Sequence, residues 1–224
     1  MKLKKLVASV VVCSLFVSAA NAQFNIGAQG TIGAFSGGVG FLKGGGIEAG
    51  YGLIKSRKHK DAGSKLFVCA SFNYYGGGNG TGSFYSTALS SINPVQEITV
   101  PYTWKLHLIQ VNVGAKYYLA GGMAAPFSFY GQVGLSIEDM PVKYTTGSYN
   151  RSQYDDSQEP LNENSIGAAF HLGVGIDVKA GPVHIYLATR LIIPANQVNG
   201  EDIEIVIPFA AVADLGVRIP IGGK

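Results

Sequence analysis

Cysteine is nearly missing from this chain, with Cys13 and Cys69 its two copies in 224 residues. Cys13 lies in an N-terminal leader, and Cys69 is then alone, which excludes an intrachain disulfide even in an oxidising compartment. The residue before Cys13 is Val12, too large for lipoprotein processing. Past residue 22 no apolar run approaches the roughly 18 residues of a membrane helix. The catalytic signatures G-x-S-x-G and H-E-x-x-H are absent, and neither glycine cluster, 37–46 or 76–82, forms G-x-G-x-x-G. His59, His107, His171 and His184 are scattered without metal-ligand spacing, so no metal and no cofactor is expected.

What is present begins with the leader. Lys2, Lys4 and Lys5 precede the apolar stretch from Leu6 to Val17, and Ala20-Asn21-Ala22 before Gln23 has the A-x-A form of a cleavage site. We read residues 1–22 as a cleavable signal peptide and 23–224 as one domain. The formal charge of +3 belongs to those three lysines, because basic and acidic residues balance after them. No nucleic-acid partner follows from it.

The rest of the chain alternates with period two. From Ser165 to Lys179, Ile166, Ala168, Phe170, Leu172, Val174, Ile176 and Val178 share one face, and Gly167, His171, Gly173, Gly175 and Asp177 lie on the other. An apolar row this long suits the roughly 9 to 11 residues with which a tilted strand crosses a bilayer. Similar rows mark strands at 24–34, 47–53, 66–74, 104–119, 127–138, 183–193 and 203–221. Between them the expected connections are 37–46, the charged turn 55–64, 120–126, 180–182, 194–202 and two long polar loops, 76–103 and 139–164. Leu106 and Leu108 break the phase of the fourth strand, which predicts a bulge near Leu108 or a segment above the membrane. Only a helix or a closed barrel satisfies its backbone within lipid. An export signal without a membrane helix therefore predicts an all-β, eight-stranded antiparallel up-and-down transmembrane barrel. Ten strands is the alternative, with a further hairpin between Phe84 and Thr99.

The segment WKLHLIQVNVGAKYYLAGGMAAPFSFYGQVGLSI, from Trp104 to Ile137, with the leader and the alternating strands around it, resembles the outer-membrane β-barrel domain family of small porin-like Gram-negative proteins. The resemblance is one of pattern and covers nearly all of the chain after the leader. It implies a membrane-embedded barrel in the outer membrane, in contact with its lipid. It departs at the end, Ile221-Gly222-Gly223-Lys224, where many members finish on an aromatic residue.

With the apolar rows facing lipid, the opposite rows place Glu48, Gln110, Lys116, Gln132, Glu138, His171, Asp177, Tyr186, Arg190, Glu204, Asp214 and Arg218 in the lumen. Small residues among them suit a narrow interior, and buried charges there require partners or water. Counting along the strands puts Glu48, Glu138, Arg190 and Glu204 in the outer half. Lys116, Asp177, Asp214 and Arg218 fall in the inner half, so Arg190 should meet an outer carboxylate and Arg218 an inner one. Tyr102, Trp104, Tyr117, Tyr118, Phe127 and Phe129 are candidates for the interfacial aromatic girdles. Tyr144, Tyr149 and Tyr154 of the second long loop are candidates for contact with extracellular proteins or surfaces by a monomeric barrel. The function this predicts is structural or surface recognition without catalysis. The alternatives are a narrow porin-like channel, a lipid-modifying enzyme using Ser165, His107 and Glu138 near the outer rim, and a soluble periplasmic ligand-binding barrel with its polarity inverted.

Overall fold

A computed structural model describes residues 23–55, 63–197 and 209–221. The expected signal peptide and cleavage site, most of the charged turn, and Glu204 lie outside those residues. Eight strands run in sequence order and close: β1 (Phe24–Phe35), β2 (Gly40–Lys55), β3 (Ser64–Thr87), β4 (Glu97–Ala120), β5 (Phe127–Thr146), β6 (Glu163–Ala180), β7 (Val183–Gln197) and β8 (Ala210–Ile221). Every neighbouring pair is antiparallel, and β1 pairs with β8 from Phe24–Ile221 to Phe35–Ala210. Closure gives each strand two neighbours, and above the apolar belt an edge stands free, where β3 beyond Gly76 pairs with β4 alone. One end of the cylinder holds Phe24 and Ile221 with the turns 121–126 and 181–182, and the other holds the long hairpins.

The wall sorts the residues as the alternation demands. Phe170, Leu172 and Val174 stand about half exposed at 53%, 54% and 47%, and Ile137, Leu135, Val113 and Leu215 join them outside. A soluble carrier would turn these rows into a dry centre, and here they cover the outside. Among the described residues no helix is long and apolar enough to cross a membrane. On β4 the outward apolar row runs from Leu119 to Ile109, about the span that a tilted strand needs to cross hydrocarbon.

Three expectations are corrected. The region 76–103 is not a loop, because β3 continues to Thr87 and β4 begins at Glu97, paired throughout. Phe84 to Thr87 and Glu97 to Thr99 are the upper rungs of that same hairpin, so the ten-strand count falls away. Likewise β5 reaches Thr146, which shortens the 139–164 loop to 147–162, and β2 starts at Gly40, which leaves a turn of four residues where 37–46 was expected. The polar composition of these stretches reflects strands that rise past the apolar belt into water.

The fourth strand keeps its phase. Leu106 and Leu108 point inward, buried at 4% and 0%, in one row with Gln110, Asn112, Lys116 and Tyr118. The bulge lies on the neighbouring strand: Tyr75 pairs with Leu108 and Gly78 with Leu106, so Gly76 and Gly77 together face the single residue His107. Gly77 takes φ 96° there, a conformation that a side chain would resist. Above the bulge the Trp104 ring lies over Gly80 and the Tyr102 ring over Gly82, where a Cβ would collide with the ring. This aromatic-over-glycine pairing stiffens the raised hairpin.

Candidate functional site: the lumen and the raised hairpins

Charge pairs fill the lower and middle lumen. Lys116 Nζ donates to Glu48 Oε1 at 2.8 Å, and Arg218 Nη2 lies 2.9 Å from the same oxygen. Arg218 Nη1 donates to both oxygens of Asp177 at 2.9 Å, and the Tyr118 hydroxyl donates to Asp177 at 2.5 Å. The Arg218 guanidinium stacks 4.2 Å from the Tyr186 ring centre, and Lys116 sits 4.8 Å from that of Tyr130. Higher up, Arg190 makes a bidentate pair with Asp214 at 2.6 and 3.0 Å and donates to Tyr75 at 3.2 Å. A third group links Tyr186 to Gln29, Gln29 to Asn73, Asn73 to Gln110, and Gln110 to Glu138 at 2.6 Å. Every one of the eight strands contributes a side chain to these networks.

The partners differ from those expected by counting. Arg190 pairs with Asp214 instead of an outer carboxylate, and Glu48 joins the inner group of Lys116 and Arg218. Strand stagger explains both, because equal distance along neighbouring tilted strands is not equal height in a barrel. Gly27 is the direct partner of Glu48 on one side and of Arg218 on the other. Lacking a side chain, it lets those two reach across β1 to each other. Arg218 does meet the inner carboxylate Asp177, as expected. Glu138 accepts from Gln110 and from Ser136 at 3.2 Å, and no cation lies within ion-pair reach of it among the described residues.

Gln132 and His171 line the space that is left, about 30 Å³ among Asn112, Tyr130 and Arg190. The two His171 ring nitrogens, Asn112 Oδ1 and the Tyr130 hydroxyl are buried there without a protein partner. Roughly 10 to 15 Å³ on this measure admits one water, so the space suits one or two. Among the described residues no group of three His, Cys, Asp or Glu side chains could hold a metal ion.

Two apolar layers close the polar middle, and the sequence reading missed both. At the hairpin end Phe35, Leu42, Tyr75, Leu106, Leu108, Met140, Val142, Ile192 and Val212 form a buried cap, with Trp104 and Tyr144 packed on it. At the terminal end Phe67, Tyr118, Met123, Tyr130 and Tyr186 pack together, Met123 arriving from the 121–126 turn. Of the expected girdle residues, Tyr117 and Phe127 do face outward. Tyr118 is in the lumen, Trp104 packs on the cap, and Tyr102 lies over Gly82 and edge-on to Tyr144.

Of the enzyme candidates, His107 is held apart from the other two. Glu138 is inside, whereas His107 is on the outward face, stacked on Tyr74 and hydrogen-bonded to its hydroxyl at 2.9 Å. The wall of the barrel separates them, and Ser165 pairs with Met140 on β5.

Outside, the 147–162 connection docks on the raised hairpin. Ala88 and Tyr154 form a bridge, Asp155 N donates to Thr87 O at 2.8 Å, and Leu89 N donates to Gln153 O at 2.9 Å. Tyr154 is buried with its hydroxyl on Val95 O, and Tyr149 packs edge-on to Phe84 while donating to Glu159. Tyr144 belongs to β5. These tyrosines hold the hairpins together, while Leu89, Ile92 and Val95 are large apolar side chains exposed at the tip. Arg151 grips Glu159 through two nitrogens, and these hydrogen bonds hold the Glu159 carboxyl down at about 2.

No protein-family model matches the chain, and no curated protein does. Among solved structures, Neisserial surface protein A (NspA) is similar over 88% of this chain and 96% of its own, with TM-score 0.50 and 13% identity. The fold is that of a small outer-membrane β-barrel. OprG from Pseudomonas aeruginosa also aligns, over 92% of this chain and 98% of its own, with TM-score 0.49 and 12% identity. At such identities the likeness is one of fold.

Proposed function

We propose that this chain resides in the outer membrane as a monomeric, non-catalytic, non-conducting barrel that presents a recognition surface on its raised β3–β4 hairpin. The observation that carries this reading is the contrast between a sealed interior and a braced tip with exposed apolar side chains. The lumen is closed by an apolar layer at each end of a paired-charge middle, while the hairpin with the 147–162 connection is ordered and tipped by exposed Leu89, Ile92 and Val95. An interior of eight strands is just wide enough for side chains to fill. By the rule that termini and short turns of such barrels face the periplasm, the hairpins point outward from the cell. Exposed apolar residues on a braced loop suit contact with a protein or cell surface. The partner is protein or surface, and among the described residues no basic face calls for nucleic acid.

The test replaces residues 88–96 with a short Gly-Ser turn in cells that display the protein. Loss of binding to host cells or extracellular matrix, with heat-modifiable gel mobility retained, supports the reading. Undiminished binding overturns it. Steady open-channel conductance from purified wild-type protein in a planar bilayer would favour the narrow channel instead, and altered lipid A on thin-layer analysis would favour the enzyme.

A further inference from the structure

Two lysines face each other on the outside of the barrel with no opposite charge between them. Lys105 of β4 is the direct cross-strand partner of Lys143 of β5, and both are exposed. They point outward, since Leu106 and Val142 beside them are buried in the cap. Directly opposed residues hold their Cβ atoms roughly 4.5 to 5.5 Å apart, where like charges repel. Neither lysine makes an ion pair among the described residues. The carboxylates that β4 and β5 turn outward are Asp139, nearer the apolar belt, and Glu97, at the hairpin tip.

The surroundings of the pair are hydrogen-bond donors. Asn79 of β3 is the other direct partner of Lys105, its amide giving one hydrogen to Gly77 O at 3.1 Å and keeping the second, and one step outward Thr81, Thr103 and Thr145 form a second row in register, all exposed. Two ammonium groups, an amide and three hydroxyls on a strip three strands wide match the several acceptor oxygens of a phosphate. The height fits as well. Ile109 is the last apolar residue of the outward row of β4, and Lys105 stands beyond it by roughly 10 Å along a tilted strand. The headgroup layer extends roughly 5 to 8 Å beyond the hydrocarbon, within reach of a lysine stem bent back towards it.

We propose that this strip binds the phosphate of a lipid headgroup in the outer leaflet, with one phosphate bridging Lys105 and Lys143 and the Asn79 amide and Thr103 hydroxyl taking its remaining oxygens. The assignment rests on the membrane reading of the barrel and adds to it a preferred lipid on the β3–β5 side. The bound phosphate supplies the negative charge that the cross-strand pair lacks.

The test uses the folded, full-length protein in detergent, titrated with diphosphorylated lipid A, with its dephosphorylated form and with inorganic phosphate, and read by native mass spectrometry. Binding of the phosphorylated lipid should fall about tenfold or more in the Lys105→Gln/Lys143→Gln variant and should hold in Lys179→Gln, at the opposite end. The dephosphorylated lipid should bind the wild type as weakly as the phosphorylated lipid binds the double variant. Equal binding by wild type and double variant overturns the site, as does equal binding of the two lipids. Displacement by millimolar inorganic phosphate, with the same lysine dependence, makes this a free-anion site and overturns the lipid assignment. Flotation with vesicles separates the two levels. Wild-type protein that does not float overturns the membrane reading and this site with it, whereas floating protein with unchanged lipid retention overturns the site alone.

Discussion

The middle of the lumen and its cap at the hairpin end are filled by opposite chemistry. Around Arg218, Lys116, Glu48 and Asp177 the interior is ionic, directional and contributed strand by strand. Around Leu42, Leu106, Leu108 and Ile192 it is apolar and closed by packing. A buried ion pair adds little net stability over an apolar filling of the same shape, but removing one partner leaves a bare charge. A cap residue loses only its own area and leaves a cavity. We expect the ionic middle to fix which strands sit beside which and in what register, and the apolar cap to seal.

The largest break in this contrast comes from Arg218→Met, which strands Asp177 and half of the Glu48 partnership. We expect a loss of about 3 to 5 kcal/mol in urea unfolding from lipid or detergent. Adding Asp177→Leu should return part of it. A double variant no better than the single would show that the ionic middle is not limited by bare charge. Next, Leu108→Ala should cost about 2 to 4 kcal/mol through the cavity it opens. Its planar-bilayer conductance should stay at baseline, because the paired charges beneath remain in place. Smaller again is Gly216→Ala, whose Cβ would lie 2.6 Å from the Ala28 carbonyl oxygen and 2.5 Å from the Tyr186 ring. We expect roughly 1 to 3 kcal/mol, read as a lower urea midpoint, since backbone must yield to admit it.

The smallest effect on the barrel comes from Arg151→Ala, which should leave its unfolding within about 0.5 kcal/mol and act on the docked connection alone. Glu159 titrates near 2 when gripped by Arg151, below its ordinary 4.5. A carboxylate with a lowered folded value stabilises the docked form above the ordinary value and loses that contribution as pH falls towards the folded one. Pepsin should therefore leave 147–162 intact at pH 5 and cut it progressively between about 4.5 and 2. In the variant, cutting by a protease active at neutral pH should already be fast.

The strand order, the outward rows and the inward charges were legible because one face of each strand must be greasy and the other cannot be. Legibility failed where that rule stops. Leu106 and Leu108 read as a phase slip because an apolar lumen row beside an apolar lipid row has no contrast to show. Gly76 to Thr87 read as a loop because a strand standing in water needs no apolar face. The pairing of Arg190 with Asp214 was out of reach, since height in a staggered barrel depends on a register that no single strand encodes. Tyr149 and Tyr154 look like contact residues by type, and only the docking of 147–162 on β3 reveals them as braces.

The last strand brings both Asp214 and Arg218. Until it arrives, a curled sheet of seven strands holds Arg190 without its acid and Asp177 without its base. Laying β8 on β7 in register thus neutralises both at once, and a strand slipped by one residue would turn the two charges out to the hydrocarbon. The register of the strand that then closes on β1 is in this way proofread by charge.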